Sequence, residues 1–323
     1  MRGVAKRVER TGRLAAIVSL AACGFGSAAR SAGSDAAPPA CPDVRIPLNV
    51  SIGGTPVASL TVGGRRGWFL IDSGASFSAV DAQGYGLAAG AAVELDDPFC
   101  GSRNGVFRAE DMDSFAAPAG GQRGRIGTDI LAGFAVTFST ADPAPAMTVH
   151  AGSLDPASLA GAGFVQIDRP GYYGGAASRR LPDSTDVPVI GLAIGPVAVP
   201  AQLDTGFDDA RDPAIIQGNA ALLAELREQG VAIHPVPAGS TLGCAGLRPH
   251  ARWRIDSAAL AVVGADGTPA KTYPPPLLEI KDDVSCGGIA AFSTPFAEIG
   301  ASWLGRWRTT ILDGPGGRVW MPR

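Results

Sequence analysis

Twice in this chain an apolar run drives straight into an aspartate and then turns. The stretches are FLIDSGAS, from Phe69 to Ser76, and AQLDTGFD, from Ala201 to Asp208. Burying a carboxylate at the end of a strand is costly unless the group has a partner or a task. Each stretch is followed by an apolar-glycine signature, in RIGTDIL around Ile126-Gly127 and in EIGASWL around Ile299-Gly300. The runs that start at Ile126 and Ile299 also share Leu131 with Leu304 and Thr137 with Thr310. The aspartate-to-glycine spacing is 55 residues in the first case and 96 in the second. The order strand, Asp-Ser/Thr-Gly, further strands, apolar-Gly therefore occurs twice, which predicts two similar lobes in one chain. One such tripeptide reads as a β-turn. Two in the same order, each at the end of an apolar strand, constrain the fold.

The surrounding sequence reads as β-structure. In IPLNVSI the apolar residues Ile46, Leu48, Val50 and Ile52 alternate, the period of a half-buried strand. PVASLTV and WFLID follow after glycine turns, and FAVTF alternates again at Phe134, Val136 and Phe138. In the second half VPVIGLAI and VAVPAQLD repeat the pattern. Glycine at 44 residues and proline at 26 supply many turns, and only 18% of residues are charged. That combination predicts an all-β protein. One helix stands out: Asn219 as cap for AALLAELREQ, with Leu222, Leu223 and Leu226 on one face and Gly230 as terminator. A net charge of −3 with no lysine-rich run gives no sign of a nucleic-acid partner.

The N-terminus reads as an export signal. Arg2, Lys6, Arg7, Arg10 and Arg13 precede the short apolar run LAAIVSLAA. Leu20-Ala21-Ala22-Cys23 resembles a bacterial lipobox, which implies lipidation at Cys23 and, with Gly24 next, an outer-membrane anchor facing the periplasm. The alternative is an ordinary signal peptide cleaved near Gly26-Ser27-Ala28. Loss of residues 1–22 leaves 22 basic against 29 acidic residues, a net charge of −7. Residues 23–44 read as a flexible tether, 45–168 as the first lobe, 169–185 as an exposed connector and 186–323 as the second lobe. Cys41, Cys100, Cys244 and Cys286 remain, with no zinc spacing. In an oxidising compartment two disulfides are expected, Cys41–Cys100 and Cys244–Cys286, each within one half; four free thiols are the alternative.

With FLIDSGAS, RIGTDIL, QLDTGFD and EIGASWL in hand, the chain resembles the aspartic proteases of the pepsin and retropepsin clan, from about Ile46 to Trp320. Asp-Thr-Gly-Phe-Asp looks like bacterial retropepsin-type members more than like pepsin. The resemblance implies a bilobal, pepsin-like arrangement of two retropepsin-like β-barrel lobes with a central cleft. One chain carries both halves, so a monomer suffices. It implies Asp72 and Asp204 as the catalytic pair, with no metal and no cofactor. Ser73 and Thr205 would tie the two loops together, while Gly74 and Gly206 would bring amides beside the carboxyls. Ile126-Gly127 and Ile299-Gly300 would pass beneath the loops, where a Cβ on the glycine would crowd them.

Two carboxyls a few ångströms apart cannot both ionise easily, so such a pair holds one proton. The charged member can activate water and the protonated member can donate to a carbonyl oxygen. The expectation is an exported aspartic endopeptidase acting on peptide or protein substrates. Two departures favour the rival, an inert peptide- or inhibitor-binding protein of the same fold. Ala75 and Phe207 stand where pepsin-like members carry a hydroxyl that supports the charged carboxylate; Ala75 is retropepsin-like, but Phe207 is a bulky departure, so the pair is expected to keep its proton to a less acidic pH than in pepsin. The candidate flap, CGSRNGVFRAED with Asn104-Gly105 as its turn, offers Phe107 where those members have a tyrosine. His150, His234 and His250 read as structural or exposed.

Overall fold

The computed structural model describes residues 41–50, 54–100, 104–111, 122–140, 144–169, 172–173, 186–207, 215–243, 246–284 and 288–323. The signal segment with Cys23, most of the tether and connector, and the expected Cys244–Cys286 bridge lie outside them. Residues from Pro39 onward form one compact unit, and it is mostly β.

The first half contributes β1 (Val44–Val50), β2 (Pro56–Val62), β3 (Arg65–Ile71), β4 (Ala79–Asp81), β5 (Ala92–Asp96), β6 (Asn104–Glu110), β7 (Gln122–Ile126), β8 (Ala135–Ser139), β9 (Ala146–His150) and β10 (Phe164–Gln166). The second contributes β11 (Val189–Ile194), β12 (Val197–Leu203), β13 (Ile215–Gly218), β14 (Ile233–Gly243), β15 (Gly246–Ile255), β16 (Leu260–Val263), β17 (Pro269–Tyr273), β18 (Leu277–Ile280), β19 (Ala297–Ile299), β20 (Thr309–Asp313) and β21 (Arg318–Pro322). Among the described residues, five short α-helices interrupt them: α1 (Ala82–Tyr85), α2 (Thr128–Leu131), α3 (Pro156–Gly161), α4 (Ala220–Glu228) and α5 (Ser302–Trp307). Alternation places Ile46 and Leu48 of β1 in the core, while Val50 stays exposed.

The strands form a 12-stranded sheet, β10-β21-β20-β8-β9-β1-β2-β3-β7-β4-β6-β5, and a 9-stranded sheet, β14-β15-β18-β13-β19-β12-β11-β16-β17. Inside them lies a repeat. The run β2-β3-β7-β4-β6-β5 matches β11-β12-β19-β13-β18-β15 strand for strand. The senses also match: β3 runs parallel to β7 and β12 parallel to β19, each then bordered by an antiparallel neighbour, β4 or β13. The registers place Ile71 opposite Ile126 and Leu203 opposite Ile299. After each apolar-glycine the chain enters a helix, α2 or α5, and then β8 or β20, which pair with each other. Thr137 faces Ile311 and Phe138 faces Thr310, so the pairing reads the same from either half.

That pairing crosses the expected division at residues 168 and 186. β20 and β21 belong to the second half of the chain, yet they lie in the 12-stranded sheet beside β8 and β10. Their own hydrogen-bonding edges are completed by first-half strands, so the halves share a sheet.

The expected flap turn also moves. β5 and β6 do form a hairpin, but Asn104 and Gly105 are strand residues opposite Asp96 and Leu95. The chain turns earlier, because the Asp97 side chain accepts from the amides of Phe99 (2.8 Å) and Cys100 (3.2 Å). Phe107 points into the core and is fully buried, so it offers no aromatic face to a cleft. A disulfide joins Cys100 to Cys41, pinning this turn to the chain just before β1. The α4 prediction holds: Asn219 Oδ1 accepts from the Leu222 amide at 2.9 Å, and Leu222 and Leu226 are buried.

Candidate active site

β3 and β12 deliver Asp72 and Asp204 to one place. Each aspartate's amide donates to the carbonyl of the isoleucine before the signature glycine, Asp72 to Ile126 and Asp204 to Ile299, both at 2.9 Å. Three residues later the bond returns: the Thr128 amide reaches the Ala75 carbonyl at 2.8 Å and the Ala301 amide reaches the Phe207 carbonyl at 2.9 Å. The two loops are therefore clamped alike against β7 and β19.

They are also locked to each other. The Ser73 amide donates to Thr205 Oγ1 at 2.9 Å, and the Thr205 amide donates to Ser73 Oγ at 3.1 Å. Each hydroxyl then donates to a carbonyl of the opposite strand: Ser73 Oγ to Leu203 and Thr205 Oγ1 to Ile71, both at 2.6 Å. Both side chains are fully buried, so every polar atom is paired where water cannot substitute.

Glycine follows for a steric reason. A Cβ on Gly74 would fall inside the Asp204 carboxyl, and one on Gly206 would sit 2.6 Å from the Asp72 carboxyl carbon. On Gly127 it would meet the Phe77 carbonyl at 2.6 Å, which explains the small residue beneath the first loop. Gly300 is buried at the matching place beneath the second.

The two carboxyls lie side by side, and each acts on the other's ionisation. Asp72 Oδ1 accepts from the amides of Gly74 and Ala75, both at 3.0 Å. Asp204 Oδ1 accepts from the amides of Gly206 (2.7 Å) and Phe207 (3.2 Å). At Ala75 and Phe207, where the side chains offer no hydroxyl, the backbone thus still supports the carboxylate. Each aspartate keeps a strip of surface open to solvent, but protein packs closely around both. Burial is the main influence on Asp72 and raises it above the ordinary 3.8, with Arg125 the largest charge pulling it back. Asp204 is raised well above that value, by burial, then by the Asp72 charge and by Glu298. A buried dyad of this kind holds one proton across a range where ordinary carboxyls have lost theirs.

The charged residues around the pair were not singled out from the sequence, although RIG and EIG differ visibly in the residue that precedes the isoleucine. Arg125 binds Glu110 through two contacts (2.9 and 2.8 Å), and Glu298 lies 3.4 Å from Lys281. In the second half Glu279 is fully buried and accepts from Gln217 (2.8 Å) and Arg252 (2.7 Å). Asp129 holds the first loop through the Ser78 hydroxyl (2.7 Å) and amide (2.9 Å). Among the described residues no group of three His, Cys, Asp or Glu side chains is placed to hold a metal ion. Asn104, Gly105 and Phe107 belong to the β5–β6 hairpin and its core contacts. No protein-family model matches the chain, and no curated protein matches it significantly.

Proposed function

We propose that this chain is an aspartic endopeptidase with a pepsin-like arrangement of two β-barrel lobes, exported and anchored through Cys23 and acting as a monomer on peptide or protein substrates. The observation that carries the reading is the facing Asp72–Asp204 pair on two interlocked loops of matching construction. A cleft that only bound peptide would gain nothing from two mutually repelling acids at its floor. A dyad holding one proton has both functions that amide hydrolysis needs. The charged carboxyl takes a proton from water as its oxygen attacks the carbonyl carbon, and the other carboxyl protonates the carbonyl oxygen. The scaffold fixes both groups before substrate arrives, so little reorganisation remains for the reaction.

The sign of the pH dependence follows from the raised pair. The singly protonated form is reached only after the first proton leaves. Burial delays that loss above the ordinary aspartate value of 3.8, so the optimum lies at less acidic pH than for an unperturbed pair. An optimum below about pH 3 contradicts this.

The direct test is digestion of a mixed peptide library across about pH 3 to 8 by the mature chain, beside Asp72→Asn and Asp204→Asn. Cleavage that falls by about 10²-fold or more in both variants supports the reading. Cleavage surviving either substitution removes it. Peptide retention without cleavage at any pH favours the inert binding protein.

A further inference from the structure

The scaffold under the dyad is symmetric, but the charges beside it are inverted. Arg125 and Glu298 occupy the same place in the repeat, directly before Ile126-Gly127 and Ile299-Gly300. Arg125 lies opposite Leu70 and Glu298 opposite Gln202, each one residue before the register point that precedes its aspartate. Their partners match as well. Val80 faces Ala109 and Gly218 faces Ile280, and the next residues along are Glu110 and Lys281. The inner position thus holds a cation in the first half and an anion in the second, with the opposite charge outside it.

Burial makes the inner member count for more. The Arg125 side chain is 14% exposed against 30% for Glu110, and Glu298 is 2% exposed against 25% for Lys281. Less screened charges act more strongly on a nearby carboxyl. Of the remaining charged neighbours, Arg108 of β6 is exposed and lies over the Phe77 ring at 3.7 Å. On the Asp72 side, Asp129 of α2 is tied to Ser78 and also feels Arg125. On the Asp204 side, Glu279 of β18 is neutralised by Arg252 of β15 at 2.6 Å, while Lys281 keeps its proton chiefly through Glu298.

We propose that this inverted pair of ion pairs places the dyad's proton: Arg125 holds the negative charge on Asp72, and Glu298 keeps the proton on Asp204. The proposal rests on the hydrolase reading and assigns its roles. Asp72 takes a proton from water as the new C–O bond forms, while Asp204 gives its proton to the carbonyl oxygen and becomes charged. On collapse, one hydroxyl of the diol returns a proton to Asp204, the C–N bond breaks, and the leaving nitrogen takes the proton held by Asp72. The resting state is restored. Arg125, Glu110, Glu298 and Lys281 touch neither substrate nor water in this scheme; they are positioning residues.

The test follows the two limbs of the pH profile of kcat/KM for a cleaved peptide, beside titration of ¹³Cγ-labelled aspartates by NMR in the mature chain. Glu298→Gln removes the anion beside the proton holder, so the alkaline limb moves down, by about half a unit or more. Lys281→Met leaves Glu298 uncompensated and moves the same limb up. Arg125→Gln moves the acid limb up, and Arg125→Lys restores it. A merely structural role would lower the rate without moving the limbs in opposite senses. If Glu298→Gln moves the acid limb, or Arg125→Gln the alkaline one, the assignment is reversed and the proposal fails; limbs that stay fixed in all four variants also overturn it. If the wild-type chain cleaves nothing, the hydrolase reading has failed and the NMR titration decides the proton placement alone. The later-titrating aspartate must then be the resonance lost in Asp204→Asn, and it must move in Glu298→Gln; any other pattern refutes the placement.

Discussion

The loop after Asp72 and the loop after Asp204 share one framework of hydrogen bonds. The same backbone amides reach the same carbonyls, and Ser73 and Thr205 exchange equivalent hydrogen bonds. Around them the halves diverge. The first sets Arg125 beside its aspartate, and exposed Arg108 lies 3.7 Å over the Phe77 ring. The second buries Glu298 and Glu279. Backbone hydrogen bonds and close glycine contacts leave the scaffold little freedom to vary. Side-chain charge one strand away is not so bound, and that is where two similar loops can acquire different chemical roles.

The equivalence of the loops is most exposed to Ser73→Ala and Thr205→Val. Each strands a buried amide and a buried carbonyl, at about 1–3 kcal/mol per group, so each should cost about 4 kcal/mol in denaturant unfolding. A large loss at one position and none at the other would break the comparison. The divergence is sharpened by Arg252→Met against Arg108→Met. Arg252 is the cation on fully buried Glu279, and removing it leaves a charge without a partner, at about 3–5 kcal/mol. Arg108 occupies the position that matches Glu279, but it is exposed, so its loss should cost under about 1 kcal/mol. Equal costs would show that the halves differ in sequence but not in energetics. The smallest effect concerns matched helix caps. Asp81 caps α1 through the Gly84 amide, and Asn219 caps α4 while also donating to the carbonyls of Phe292 and Thr294. Asn219→Ala should cost about 2 kcal/mol and Asp81→Ala about 1, read from thermal unfolding.

Local patterns were legible in the sequence. Period-two alternation located β1 to β3, β8, β11 and β12, and Asn219 with its leucines located α4. The aspartate pair was legible because the same tripeptide closes two apolar strands. What could not be read depends on register between distant strands. Nothing near Thr309 or Arg318 says that β20 and β21 will complete a sheet begun by β8 and β10. Asn104-Gly105 has the composition of a turn, but Asp97 captures the chain first, and strand pairing then carries Asn104 and Gly105 into β6. Arg125 and Glu298 stood in view beside the repeated isoleucines. Their partners Glu110 and Lys281 are matched only by ladders that align β4 with β6 and β13 with β18.

Neutron diffraction from the chain in heavy water, at the pH of its activity maximum, would inspect the dyad itself. The account predicts facing oxygens of residues 72 and 204 within hydrogen-bonding reach and one deuteron between them, bonded to the second. Carboxylates standing apart, both bare or each carrying its own deuteron, would contradict it.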